Sequence, residues 1–302
     1  DSIDITANTI NNQSGQLLAN NKVTLTAANQ VNNQTGHVKS KEIKIADTND
    51  ANRKLTVNNN QGRIIAGKDI AIRAKGFTNT NGSILANERA DINVVDDISY
   101  SAKDVINAKA VPLTTKGNFT NTGKLTGQER LEITAANIDN QKDAELSSNG
   151  TTQLIASMNI DNRGLINGVN TYLDADTSIN NYSNGRIYGD HVAIETKTLN
   201  NTPDVFTKTK VDTCVAGPGC LVEITKEFNN LYGLSDEQIA AYKNDYPDFY
   251  NQFLIEKEAY YDVSSEPAPV IAARQRLDIG VTTLNNNPNE ARASIFNVDF
   301  NG

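Results

Sequence analysis

Apolar residues recur along this chain in a short phrase rather than in long runs. The phrase is apolar-x-apolar, a small polar run, apolar-Asn-Asn, two or three polar residues, then Gly-x-apolar. Its first copy is Ile3-Asp4-Ile5, Ile10-Asn11-Asn12 and Gly15-Gln16-Leu17; the second is Val23-Thr24-Leu25, Val31-Asn32-Asn33 and Gly36-His37-Val38. The Gly-x-apolar marks fall at Gly15, Gly36, Gly62, Gly82, Gly123, Gly164 and Gly185, and Asp143 is read as holding the same place in Asp143-Ala144-Glu145-Leu146. Successive spacings are 21, 26, 20, 41, 20, 21 and 21 residues. The unit is therefore 20 or 21 residues, with one extra unit between Gly82 and Gly123. A fixed period of this length signals a solenoid.

Ile43-Lys44-Ile45, Ile70-Ala71-Ile72, Leu131-Glu132-Ile133 and Val192-Ala193-Ile194 alternate with period two, which is strand patterning. No unit carries the i, i+3, i+4, i+7 stripe of a helix. Three short strands and three turns per unit make one coil of an all-β solenoid, a parallel β-helix with coils about 4.8 Å apart. The inward positions are Ile3, Ile5, Ile10, Leu17 and Ala19 in the first coil, then Leu131, Ile133, Ile138 and Leu146, then Leu173, Ile179 and Ile187. The Asn pairs 11–12, 32–33, 180–181 and 200–201 are placed at one corner. Asn tolerates the left-handed backbone that a corner needs, and stacked amides can bond between coils. Asp47 to Lys54 reads as a surface loop, and residues 95–117, with Val111-Pro112, as an irregular coil or a second outward loop.

After Asn200-Asn201 the phrase stops, and it resumes near Leu277-Asp278-Ile279 and Leu284-Asn285-Asn286. This divides the chain into a β-helix at 1–202, an insertion at 203–270 and resumed coils at 271–302. The 68 inserted residues hold five of the seven prolines, ten of the eighteen Phe and Tyr residues, and both cysteines. They carry 12 acidic against 5 basic side chains, a net of −7 out of −8 for the whole chain, so the rod is nearly neutral. The insertion also has the only good helix signals. Ser235-Asp236-Glu237-Gln238 reads as a capping box with Leu234 and Ile239 as a staple, starting a helix that runs to about Lys243. A second helix is expected from Pro247, with Phe249, Tyr250, Phe253, Leu254, Tyr260 and Tyr261 on one face. The insertion is thus expected to be small and mostly helical.

Composition narrows the function. Apolar content is 38 % and Trp is absent, which suits a thin fold. A charge of −8 argues against a nucleic-acid partner, and no run of about 18 apolar residues offers a membrane span. Cys214 and Cys220 flank Val-Ala-Gly-Pro-Gly, a turn that would allow a local disulfide; two free thiols are the alternative, and a zinc pair lacks further ligands nearby. A disulfide would indicate an oxidising compartment.

The coil Val23-Thr24-Leu25-Thr26-Ala27-Ala28-Asn29-Gln30-Val31-Asn32-Asn33-Gln34-Thr35-Gly36 resembles the haemagglutinin repeats of filamentous-haemagglutinin-type exoproteins. These are exported by two-partner secretion in Gram-negative bacteria and include the CdiA-type effectors of contact-dependent growth inhibition. The resemblance covers residues 1 to about 202 and, more weakly, 271–300. It implies a right-handed parallel β-helix, a secreted location on the bacterial cell surface, passage through an outer-membrane transporter, and no cofactor. The family's Asn-Pro-Asn-Gly-Ile and Asn-Pro-Asn-Leu secretion motifs and its Val-Glu-Asn-Asn pre-toxin motif are missing, which fits an internal stretch.

Three functions compete. In the first, the rod presents residues 203–270 to a receptor on a target bacterium. Aromatics anchor interfaces, so Tyr232, Tyr242, Tyr246, Phe249, Tyr250, Phe253, Tyr260 and Tyr261, with Asp245, Asp248 and Glu256, are the candidate contacts. The acidic balance favours an outer-membrane protein with basic loops over phosphate-rich lipopolysaccharide. The second is a filament shaft with no specific receptor site. The third is a polysaccharide lyase or hydrolase, for which only Asp174/Asp176 and Asp96/Asp97 offer paired acids; the chain is not expected to be an enzyme.

Overall fold

The computed structural model describes residues 1–210, 235–245, 260–264, 266–286 and 294–297. The chain divides into two compact units, one formed by Asp1–Val205 and Glu266–Gly302, the other by Phe206–Ser265.

The first unit is a right-handed parallel β-helix of about 10 turns with ~21 residues per coil. Its ladders are parallel and stack like residues on like: Val23 on Ile3, Ile43 on Val23, Ile70 on Ile43. The columns expected to point inward do so. Leu131, Ile133, Ile138, Leu146, Leu173, Ile179 and Ile187 are buried. Ile3, Ile5, Leu17 and Ala19 are only partly covered, because the coil they belong to has a neighbour on one side.

The Asn corner bonds between coils as expected, in two parallel ladders. The second Asn of each pair is buried. Asn12 Nδ2 donates to Asn33 Oδ1 at 2.7 Å, Asn33 to Asn59 at 2.7 Å and Asn59 to Asn79 at 2.6 Å. The ladder starts again at Asn121 and runs through Asn140, Asn162, Asn181 and Asn201 to Asn286. The first Asn of each pair forms an outer, more exposed ladder, such as Asn32 on Asn11 and Asn200 on Asn180.

The left-handed backbone is not on these Asn residues. It falls two residues later, at Ser14, Thr35, Gln61 and Asn81, and three residues later at Asp143 and Asn184, in each case just before the glycine or its Ala144 counterpart. Asp143 therefore matches Ser14, and Ala144 takes the place of the glycine: Ala144 N bonds Gln141 O as Gly36 N bonds Asn33 O. The glycines are required for a different reason. A Cβ on Gly62 would lie 2.1 Å from Asn33 O and 2.6 Å from Asn59 Oδ1, and Gly36 and Gly82 are as tight. The glycine lets the turn sit directly on the coil below.

Residues 95–117 form an ordinary coil, contrary to the irregular coil or outward loop expected. Its strands are Ile98–Tyr100, Val105–Asn107 and Ala110–Thr114. Tyr100 stacks on Asn121 and stands in the corner where Asn is absent. Its buried hydroxyl donates to Asp104 O at 2.8 Å and lies 3.3 Å from Lys124 O, the carbonyls an Asn amide would reach. Burial, with the nearby Asp104 charge, pushes its phenol up to about 12. Pro112 is tolerated because the ladder to the preceding coil skips Val111 and Pro112 and resumes at Leu113.

Asp47 to Lys54 is exposed over most of its length but tied at both ends. Asn49 caps a 3-10 turn at Asp50–Asn52, and Arg53 reaches Asn93 O and Oδ1. The buried Asp47 carboxylate accepts from Asn49 N (2.8 Å), Lys54 N (2.5 Å) and Leu55 N (2.6 Å). Burial raises its pKa, but the amide bonds outweigh burial and hold the carboxyl below the usual aspartate value. A group held low in the folded state contributes fully above about pH 4 and loses that contribution as pH falls through the folded value. Asp47→Asn is therefore expected to cost about 1–3 kcal/mol at pH 7, since one amide oxygen replaces two acceptors. In urea unfolding, the gap between variant and parent should shrink as pH falls below the ordinary aspartate range.

In the second unit, Ser235 caps the helix Asp236–Asp245, two residues longer than expected. Gln238 N donates to Ser235 Oγ at 3.3 Å, and Ser235 N to Gln238 Oε1 at 2.8 Å, which is the expected reciprocal box. Phe206–Lys210 pairs antiparallel with Tyr260–Ser264, setting Lys208 opposite Asp262. Tyr260 and Tyr261 are therefore on a strand, not on a helical stripe, and the described part of the insertion is strand as well as helix. The second helix expected from Pro247 and the Cys214/Cys220 pair lie outside the described residues.

Candidate interaction surface

The insertion replaces one corner turn without disturbing the rod. The strand Val270–Asn286 stacks on Arg186–Asn201 in register, with Ile271 on Ile187, Ile279 on Ile194 and Asn286 on Asn201. A turn of two or three polar residues in other coils, such as Gln13-Ser14-Gly15, is here about 68 residues long.

Both ends of that long turn are held to the rod at one place. On the outgoing side Pro203 is buried, and Asp204 forms an ion pair with Arg163 at 2.9 Å. Ser183 N donates to Asp204 Oδ1, and Asp204 N donates back to Ser183 Oγ, each at 3.1 Å. Arg163 also lies 4.3 Å over the Tyr182 ring. On the returning side Asn184 N donates to Pro267 O at 2.7 Å, and Arg186 Nη1 to Ala268 O at 2.7 Å. Glu266 pairs with Lys142 at 2.5 Å and accepts from the Asn184 amide. The Lys142 bond holds the Glu266 carboxyl below its ordinary range. Burial, with the Asp161 charge, raises the Tyr182 phenol. Ser183 and Asn184, adjacent in sequence, thus hold the two ends of the segment.

None of these anchoring residues was singled out from the sequence. The available signal was the corner Asn181-Tyr182-Ser183-Asn184-Gly185, one residue longer than Asn12-Gln13-Ser14-Gly15. Of the candidate contacts, Tyr242 and Asp245 are on the helix, with Asp245 exposed, and Tyr260 and Tyr261 are on the strand. Tyr232, Tyr246, Asp248, Phe249, Tyr250, Phe253 and Glu256 lie outside the described residues.

The acids considered for catalysis serve structure or solvent. Asp97 Oδ1 accepts from Asn118 N at 2.7 Å, and Asp96 sits 3.9 Å from Lys75. Asp174 and Asp176 are both exposed on the strand Asn170–Asn181. Among the described residues, no group of three or more His, Cys, Asp or Glu could hold a metal ion, and no helix is long and apolar enough to cross a membrane.

The sequence profile described as "Haemagglutinin repeat" matches residues 2–53 and 45–164, just over half of the chain. The chain belongs to the haemagglutinin-repeat family. This is a structural adhesin family, whose members are typically secreted surface filaments. The haemagglutinin repeats and the β-helix they build make this rod an adhesin-like filament shaft. No curated protein and no solved structure matches the chain.

Proposed function

We propose that this haemagglutinin-repeat rod is a surface filament segment that presents residues 203–270 to a receptor on a target bacterium, as in contact-dependent growth inhibition of the CdiA type. Export through an outer-membrane two-partner-secretion transporter of a Gram-negative cell goes with this reading. The observation that carries it is the single long corner turn. The coils on either side keep their register across it, its ends are fixed by Arg163, Ser183, Asn184 and Lys142, and it holds −7 of the charge and most of the aromatics. A turn elaborated this far in an otherwise economical solenoid is where a partner would be met. Its acidity suits basic loops of an outer-membrane protein.

The test replaces residues 202–269 by Gln-Ser-Gly, the turn of the first coil. The rod should keep its β-sheet circular dichroism, because Asn201, Val270 and Ile271 then connect as Asn12, Gln16 and Leu17 do. Binding to target cells should be lost. Undiminished binding by a folded deletion variant would leave the chain a shaft with no receptor site in this segment.

A further inference from the structure

One face of the first five coils differs from the rest of the rod. Two outward columns run along it: Gln16, His37, Arg63, Ser83 and Val105, and beside them Leu18, Lys39, Ile65, Leu85 and Asn107. Neither column contains a carboxylate. Lys39 and Arg63 are exposed, Lys41 borders them at the corner, and none of the three has a carboxylate partner among the described residues. On the neighbouring face Arg73 pairs with Asp91 and Lys68 with Asp69, while Lys44 stands alone among the described residues. Burial, then the charges of Arg63 and Lys39, hold the His37 imidazole below its ordinary value. Aliphatics flank the cations along the columns: Leu18 in the first coil is 52 % exposed and Val105 in the fifth 41 %, and Ile65 and Leu85, in the coils beyond Lys39, are half-covered. Grooves of about 510 and 600 Å³ open along the same border, one beside Leu18, Lys39 and Lys41, the other beside Ile65 and Leu85.

The chain's negative charge does not explain this patch, since it resides in residues 203–270. Nor does the fold require it, because these side chains point away from the core. A flat sheet face of unpaired cations flanked by exposed aliphatics is complementary to a surface with anionic groups above hydrocarbon. A sulfated polysaccharide would match the cations but leave the aliphatics wet; an acidic protein loop would have to span about 20 Å of flat sheet at ~4.8 Å per coil.

We infer that this face docks on an anionic phospholipid surface, with Lys39, Lys41 and Arg63 on lipid phosphates and Leu18 and Val105 entering the interfacial layer. The inference is independent of any receptor for residues 203–270, and the rod could use it to lie along a membrane.

The test is co-sedimentation of the full chain with phosphatidylcholine vesicles, without and with about 30 % phosphatidylglycerol, at low and high salt. Binding should need the anionic lipid and fall at about 0.5 M salt, where the screening length shrinks to a few ångströms. Each cation near such a surface contributes about fivefold, so Lys39→Glu/Arg63→Glu should lower partitioning at least about tenfold. Leu18→Ser/Val105→Ser should lower it several-fold. Lys44→Glu, on the neighbouring face, should leave it unchanged. Unchanged melting temperatures show that each variant is folded. The inference is overturned if anionic vesicles are not bound, if the double charge reversal binds like the parent, or if Lys44→Glu is equally harmful. Capture by heparin or an acidic protein without vesicle binding would likewise overturn it.

Discussion

Gly62→Ala is expected to cost about 3 kcal/mol, at the upper end for adding a single methyl group. The added Cβ would meet Asn33 O at 2.1 Å and Asn59 Oδ1 at 2.6 Å, where real contacts stay above 3.0 Å. Neither atom can yield cheaply. Asn33 O belongs to the backbone of the neighbouring coil and accepts from Gly36 N, and Asn59 is locked into the buried ladder by bonds to Asn33 and Asn79. Relief would need the two coils to separate, which breaks several ladder bonds at once. Gly67→Ala is the matched control. Its Cβ would find Lys41 Cα at 3.6 Å, an ordinary contact. That variant should be neutral, or gain about 0.5 kcal/mol from the reduced freedom of the unfolded chain. Thermal melts of the two variants decide the matter. Equal melting temperatures would mean that these glycines are not needed for coil-on-coil approach.

The second large effect is expected at Asn162→Leu, which keeps volume but removes all polarity from a fully buried position. Asn162 Oδ1 accepts from Asn140 Nδ2 at 2.8 Å and from Gly164 N at 3.2 Å; its amide donates to Asn181 Oδ1 at 2.8 Å and reaches Arg186 O at 3.3 Å. Leucine would strand the Gly164 N–H and the Asn181 oxygen without water. Each unpaired buried group costs about 1–3 kcal/mol, so a loss of at least about 3 kcal/mol is expected. Asn32→Leu, in the outer ladder, should cost less, under about 2 kcal/mol, because water can reach the groups that bond it, Asn11 Oδ1, Gln34 N and Asn58 Nδ2. Each coil touches only its neighbours, so the damage should also be local. Amide exchange should speed up around residues 140–186 before it does at residues 23–45. Comparable losses at Asn162 and Asn32 would show that burial does not set the worth of these ladders.

The strength of both effects bears on the filament role. The rod's core is one continuous stack of buried aliphatics from Ile10 to Ala273. Each coil must repeat the same close approach and the same amide bond to keep that stack in register. The coil that lacks a corner Asn keeps the arrangement through Tyr100, whose hydroxyl reaches the equivalent carbonyls.

The sequence alone determined the parts that repeat. Period, strand alternation, inward columns and the stacked Asn bonds were legible because each is fixed within about 20 residues and then copied. The capping box at Ser235 was legible for the same local reason. Identical neighbours then impose their register, and the coil interrupted at Asn201 resumes at Ile271.

What only the tertiary structure decided involves residues brought together once. The clamp joins Arg163 to Asp204, Asn184 to Glu266 and Lys142 to Glu266, across 41, 82 and 124 residues, with no repeated pattern to announce it. The pairing of Phe206–Lys210 with Tyr260–Ser264 closes a gap of about 50 residues and looked like the end of a helix. The reason for each corner glycine was hidden as well. Sequence suggested a left-handed turn, but that conformation falls on the preceding residue, and the glycine is demanded by the neighbouring coil. Local periodicity encodes which face a residue takes; close approach between coils and pairing across an insertion arise only when the chain has stacked.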